Sequence, residues 1–159
     1  MESEKIISFV EESFLKEILK DKDVTDVSYN GRNIFYCHNF KGNIKSSLII
    51  NDTDIKDFVR QVANICEKQF SHQNPILDVS FGRYRLNAVH QSIGRVNENE
   101  CLTFSIRIAS NVLRITDSSN FLNDKLIKYF GECLRLGKSI VIAGKTGSGK
   151  TEFQKYLLA

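Results

Sequence analysis

The sequence predicts an α+β fold: an amino-terminal domain of antiparallel strands packed with two helices, followed by a linker and the start of a second, α/β unit. Three observations carry this expectation. Apolar residues recur at helical spacing in two long segments, Ile6, Val10, Phe14 and Ile18 in the first and Ile55, Phe58, Val59, Val62, Ala63, Cys66 and Phe70 in the second. Other segments alternate, most cleanly Leu102, Phe104, Ile106 and Ile108 against Thr103, Ser105 and Arg107. The order helix, three strands, helix, three strands then fades after Ala109 into Ser, Asn, Thr and Asp, and a new periodic pattern begins beyond them. The expected division is 1–109 for the first domain, 110–120 for the linker and 121–159 for the start of the second unit.

Each element has a local reason. The first helical segment runs to Leu19. Residues 24–29 alternate, Asn30 and Gly31 suit a two-residue hairpin turn, and residues 33–38 continue an extended, aromatic pattern. Gly42 marks a second turn, before a third strand expected to end at Ser47, Leu48, Ile49 and Ile50. Asp52 or Thr53 is placed to cap the second helix. Pro75 opens the strand 76–81, and Gly82 turns the chain into the strand 84–90. After the linker, Ser118 or Ser119 is placed to cap a helix carrying Leu122, Leu126, Ile127, Phe130, Cys133 and Leu134 on one face, and Gly137 ends it. Residues 139–143 are expected to form a short apolar strand, and 153–158 a helix.

Composition narrows the function classes. With 159 residues, 42% hydrophobic and 26% charged, the chain has the make-up of a soluble globular protein, which argues against wholesale disorder. Twenty-two basic residues against 19 acidic ones give a net charge of +3 without a basic run, so nucleic acid is not indicated as a partner. No apolar run approaches the roughly 20 residues that span a bilayer. The amino terminus mixes Glu2, Glu4, Glu11 and Glu12 with apolar residues, unlike a signal peptide, so a cytosolic protein is expected. Cys37, Cys66, Cys101 and Cys133 are scattered without a CxxC pair and are expected to be reduced and mostly buried. Cys37 and His38 would point to opposite faces of a strand, a poor start for a shared metal. His38, His72 and His90 have no spaced partner for a catalytic triad.

One motif carries chemistry. Gly144, Lys145, Thr146, Gly147, Ser148, Gly149, Lys150 and Thr151 match GxxxxGK[ST] in full, between an apolar run and a helix. Glycines let successive backbone N–H groups curl around a polyphosphate, and the helix amino terminus adds partial positive charge. Lys150 is then the group for the β and γ phosphates, and the Thr151 hydroxyl the ligand for Mg²⁺. The motif points to ATP and Mg as cofactors, and to phosphate binding before any particular reaction.

The run GKTGSGKT resembles the secretion ATPase superfamily, the traffic ATPases of type II and type IV secretion and of type IV pili. Three softer patterns agree in order and spacing. Val24 to Gly31 resembles the family's TDVxNG opening; Pro75, Ile76, Leu77 and Asp78 with Gly82, Arg83, Tyr84, Arg85, Leu86 and Asn87 resemble its PxxD and GxRxN segments; Phe104, Ser105, Ile106 and Arg107 resemble its SIR strand. The resemblance implies an amino-terminal domain followed by the helix, strand, P-loop and helix of a RecA-like ATPase domain. It implies a Mg-ATP hydrolase working as a ring, a hexamer, with ATP and ADP, sister subunits and inner-membrane secretion or pilus machinery as partners, in the cytoplasm or peripheral at the inner face of the membrane. It also implies that Arg85 and Arg107, which alternate with apolar neighbours, reach towards the nucleotide.

Two departures stand out. Glu152 occupies the place of a second hydroxyl that faces the α phosphate in the family, and Ser80 and Phe81 replace the usual PDG before Gly82. The sequence stops eight residues after Thr151, ahead of a Walker B carboxylate and of acidic and histidine boxes, so a fragment is expected that does not turn over ATP alone. Two other function classes stay open: a non-enzymatic interaction or oligomerisation module with a vestigial P-loop, and a P-loop NTPase of another class, such as a DNA translocase.

Overall fold

The computed structural model describes residues 2–109, 122–145 and 148–158. The chain divides into two compact units, Met1–Ser110 and Asn111–Ala159.

In the first unit, the single opening helix expected from periodicity is two helices, α1 (Glu2–Glu11) and α2 (Lys16–Leu19). The break falls at Ser13, whose hydroxyl donates to the Val10 carbonyl at 2.6 Å and accepts from the Leu15 amide at 3.2 Å. Such local bonds compete with the helical ladder. Strand β1 (Val24–Tyr29) pairs antiparallel with β2 (Ile34–His38). The turn between them is a correction: Tyr29 faces Ile34, so four residues connect the strands. Asn30 Oδ1 closes the loop by accepting from the amides of Arg32 and Asn33 at 3.1 and 2.9 Å. Alternation in β1 also breaks. A register shift between Val24 and Asp26 turns Val24 inward together with Val27 and Tyr29.

The third strand, β3, is Gly42–Lys45 and does not reach Ile50. Ser46 still donates its amide to Ile34, but its hydroxyl then accepts from the Leu48 amide in a local turn. Helix α3 (Asp52–Ile65) begins after Asn51 and has no side-chain cap from Asp52 or Thr53. Asp52 instead accepts from the Tyr29 hydroxyl at 2.8 Å. The helix ends before Phe70, because Glu67 takes a φ of 52° and turns the chain. Strands β4 (Ile76–Phe81), β5 (Tyr84–Val89) and β8 (Thr103–Ile108) follow, and the segment expected as plain loop holds a small hairpin, β6 (Arg95–Val96) and β7 (Asn99–Glu100).

The six-stranded sheet has the order β3-β2-β1-β8-β5-β4, with every neighbouring pair antiparallel. Insertion of β8 between β1 and β5 joins the two halves of the unit. One sheet face carries Val27, Tyr29, Leu77, Val79, Phe81, Tyr84, Leu86, Ala88, Phe104 and Ile106, all buried in a core shared with α1 and α3. An aromatic cluster holds these layers together: Phe58 stacks on Phe9 at 5.7 Å and meets Phe14 edge-on at 5.0 Å and Phe104 at 5.8 Å. Glu11 ties α1 to the β4–β5 turn by accepting from the Tyr84 hydroxyl and from Arg83. The opposite sheet face is polar. It presents Asp26, Ser28, Asp78, Ser80, Arg85, Asn87, Ser105 and Arg107 in register.

Burial, reinforced by the hydrogen bond to Asp52, raises the pKa of Tyr29; burial and then Glu11 do the same for Tyr84. A phenol whose pKa is higher in the folded chain than in the unfolded one supports the fold fully only below the unfolded value of about 10. Its contribution is lost as pH rises from there through the folded value. Stability against denaturant is therefore expected to fall from about pH 10 upwards, and Tyr29→Phe to flatten that slope. Equal slopes for wild type and Tyr29→Phe would contradict it.

The second unit contains α4 (Asp124–Arg135) and α5 (Lys150–Leu158). The α4 cap is Asn123, whose Oδ1 accepts from the Lys125 amide at 2.9 Å; Ser118 and Ser119, like the expected linker 110–120, lie outside the described residues. Gly137, at φ 66°, ends the helix as a left-handed cap, with the Lys138 amide donating to Cys133 O. The expected strand at 139–143 is not formed. A strand needs a neighbour to complete its ladder, and the described residues of this unit supply none. Val141 is accordingly 90% exposed. Phe130 and Phe153 meet edge-on at 6.0 Å and join the two helices. All four cysteines are free and half-buried, so less enclosed than expected.

Candidate functional site

The glycine loop leads into α5. Its Thr146 and Gly147 lie outside the described residues. Around them the backbone curls: the Ser148 amide donates to Lys145 O at 3.2 Å, and the Phe153 amide to Gly149 O at 2.9 Å as α5 begins. Gly149 takes a φ of 82°, a left-handed conformation that an L side chain would strain. Gly144 lies so close to Ser148 that a Cβ there would stand 2.8 Å from its hydroxyl. Lys150 folds back over the loop, and its ammonium donates to the carbonyls of Gly144 at 2.9 Å and Lys145 at 2.7 Å. Thr151, in the first turn of α5, is exposed. Glu152 is turned along the helix to Lys155, 3.1 Å away, which offsets its charge.

These features fit an anion of the polyphosphate class. Two close-packed or left-handed glycines, a helix amino terminus and a lysine bent over the loop supply donors and positive charge, and among the described residues no carboxylate bonds the ammonium. The residues that would hold Mg-ATP here are Gly144, Lys145, Ser148, Gly149, Lys150 and Thr151, with Thr151 on the metal. Such a metal would offset the phosphate charge when bound.

Arg85 and Arg107 lie in the first unit, on the polar sheet face. They are register partners on β5 and β8, so the two side chains leave adjacent backbone positions on one face. Like charges directly opposite each other are unfavourable, and each arginine has an outer carboxylate. Arg85 makes a two-pronged contact with Asp78, at 3.2 and 2.8 Å, and Arg107 donates to Asp26 at 3.2 Å. Arg85 holds the Asp78 carboxyl below its ordinary pKa. Both arginine side chains remain largely exposed, 66% and 77%, so neither is locked into its pair.

Two groupings were not apparent from the sequence. Asp21, Asp23 and His38 bring three metal-type ligand atoms within 4.8 Å of one another. Their hydrogen bonding opposes a metal: Nδ1 of His38 accepts from the amides of Phe40 and Lys41, so the ring proton sits on Nε2, facing Asp21 at 3.4 Å. His38 is a buried latch for the β2–β3 turn. The second grouping surrounds His90, and no sequence spacing could have revealed it because it joins α3 to the end of β5. Among the cysteines, burial raises the pKa of Cys66 and Cys101, which disfavours the reactive thiolate.

No family model matches the chain. A curated Bacillus anthracis protein, itself uncharacterised, is 31% identical over 153 residues, which cover 91% of this chain and 33% of that protein. The chain thus spans about a third of the length of its curated relative. Among solved structures, the VirB11 ATPase of the Brucella suis type IV secretion system, crystallised in complex with sulphate, is similar in fold. The match covers 99% of this chain and 53% of that one, with a TM-score of 0.58 and 19% identity. No helix among the described residues is long and apolar enough to cross a membrane.

Proposed function

We propose that these 159 residues are part of a secretion-type traffic ATPase: an amino-terminal domain over 1–109, a linker over 110–120, and the phosphate-binding start of a RecA-like ATPase domain over 121–159. The observation that carries the proposal is the glycine loop entering α5, with Lys150 bent over its carbonyls. The likeness in fold to a VirB11 ATPase supports it. In the whole protein, Mg-ATP hydrolysis would drive transport across the cell envelope by a hexameric ring docked on inner-membrane machinery from the cytoplasmic side. Lys150 would hold the β and γ phosphates and Thr151 the Mg²⁺, within the loop 144–151; Glu152, engaged by Lys155, would stay off the phosphates.

The 159 residues themselves are expected to bind nucleotide weakly and not to turn it over. Hydrolysis also needs an acidic partner for the metal and an oriented water, which the loop does not contain. Calorimetric titration with Mg-ATP, alongside phosphate release, tests both statements. Saturable binding without release is the expected result; absence of binding would favour an interaction module, and sustained release would contradict the division of labour.

Arg85 and Arg107 would add guanidinium contacts to the nucleotide, giving up part of their pairing with Asp78 and Asp26. Arg107→Ala in the whole protein is expected to weaken nucleotide binding by about 1.5–3 kcal/mol, the worth of a charged hydrogen bond. An unchanged Kd in the folded variant would return Arg107 to a role on the exposed sheet face.

A further inference from the structure

We infer that the hollow between α3 and the turn after β5, lined by Lys56, Arg60, Phe70, His90, Gln91 and Leu102, is a binding site for a phosphate group. None of its residues belongs to the glycine loop or to the arginine pair, so it stands independently of the function proposed above. It lies on the helix-covered side of the sheet, whereas Arg85 and Arg107 are on the opposite, polar face.

Lys56 and Arg60 are four residues apart on α3 and therefore share a side of the helix. His90 faces them, and its Nδ1 is engaged by Ser92, accepting from the amide at 3.1 Å and lying 2.9 Å from the hydroxyl, which leaves Nε2 as the ring nitrogen for a ligand. Phe70 fixes the ring edge-on at 5.3 Å. Three donor-bearing groups thus converge on one hollow of about 40 Å³ that no carboxylate lines.

The three acidic residues of the same helix, Asp52, Asp54 and Asp57, do not line the hollow, although Asp57 offsets part of the Arg60 charge. Asp57 accepts from Arg60 Nη1 at 3.3 Å on the exposed side, and Asp52 accepts from the Tyr29 hydroxyl. Lys56 and Arg60 give the hollow a cationic lining, and both act on His90. Its pKa is lowered, first by burial and then by His72, Arg60 and Lys56. Burial disfavours charge of either sign, so it is the cationic neighbours Lys56 and Arg60 that favour an anion here.

The test uses the 159-residue chain and inorganic phosphate, added at constant ionic strength set with sodium chloride. The His90 ring signal is followed by NMR across pH. Phosphate is expected to shift that signal saturably and to raise the His90 midpoint, since a bound anion stabilises imidazolium. Lys56→Gln combined with Arg60→Gln should weaken the effect about tenfold or more, the loss expected for charged hydrogen bonds. Both side chains reach solvent, so the fold should survive; circular dichroism checks this, and Lys56→Gln alone serves if the pair fails to fold. An equal shift with chloride alone, no saturable shift, or a response indifferent to the substitutions would overturn the inference. Sedimentation with phosphatidylglycerol vesicles that is lost in the same variants would assign the phosphate to a lipid headgroup; its absence, with the free-phosphate response intact, assigns it to a soluble ligand.

Discussion

Phe58→Ala is expected to destabilise the first unit by about 3–5 kcal/mol, the usual range for removing a buried aromatic ring and leaving a cavity. Phe58 is 4% exposed and touches three other rings, from α1, from the segment between α1 and α2, and from β8. Its neighbours Val59 and Val62 are fully buried, which limits how far the helix can sink into the gap. Since domains of this size are stable by only about 5–15 kcal/mol, the loss is a large share of the total. Urea unfolding followed by circular dichroism measures it as a lowered midpoint at unchanged slope. A change below about 1 kcal/mol would mean that the cluster is not the joint between helices and sheet described above.

Lys150→Ala is expected to have the largest effect on ligand binding. Two consequences combine. A ligand phosphate loses a charge-assisted partner, and the loop loses the ammonium that ties Gly144 O and Lys145 O together. One charged hydrogen bond contributes about 1.5–3 kcal/mol, so nucleotide affinity should fall roughly 10- to 150-fold, and phosphate release by the whole protein should cease. Lys150→Arg should not restore it, because a planar fork cannot replace a compact ammonium among closely spaced carbonyls. Titration calorimetry gives the affinity; unchanged binding in the alanine variant would remove the loop from the proposed site.

Much of the fold was legible because burial on one side of an element leaves a period in the chain. Ile55, Phe58, Val59 and Val62 announce α3, and Phe104 and Ile106 announce β8, since each element buries a single face. The misplaced boundaries have a common origin in bonds made by individual polar groups. Ser13 breaks the first helix, Asn30 widens the hairpin, Ser46 stops β3, and Asn123 caps α4, each through its own side chain. These residues look alike wherever they occur in a sequence, and only the local backbone decides which partner each one finds.

The candidate site divides in the same way. GKTGSGKT is read from the chain alone, because a phosphate loop uses consecutive backbone amides and needs no distant partner. The sequence likewise determined the class of the first unit, through two helical periods and a set of alternating strands. Pairing across the chain was decided only by the tertiary structure. It set β8 between β1 and β5, and so brought Arg107 beside Arg85 and within reach of Asp26, 81 residues away. It also turned Lys56, Arg60 and His90 towards one hollow. Strand order and helix docking depend on how the summed apolar faces fit together, a property of the folded whole that no local spacing encodes.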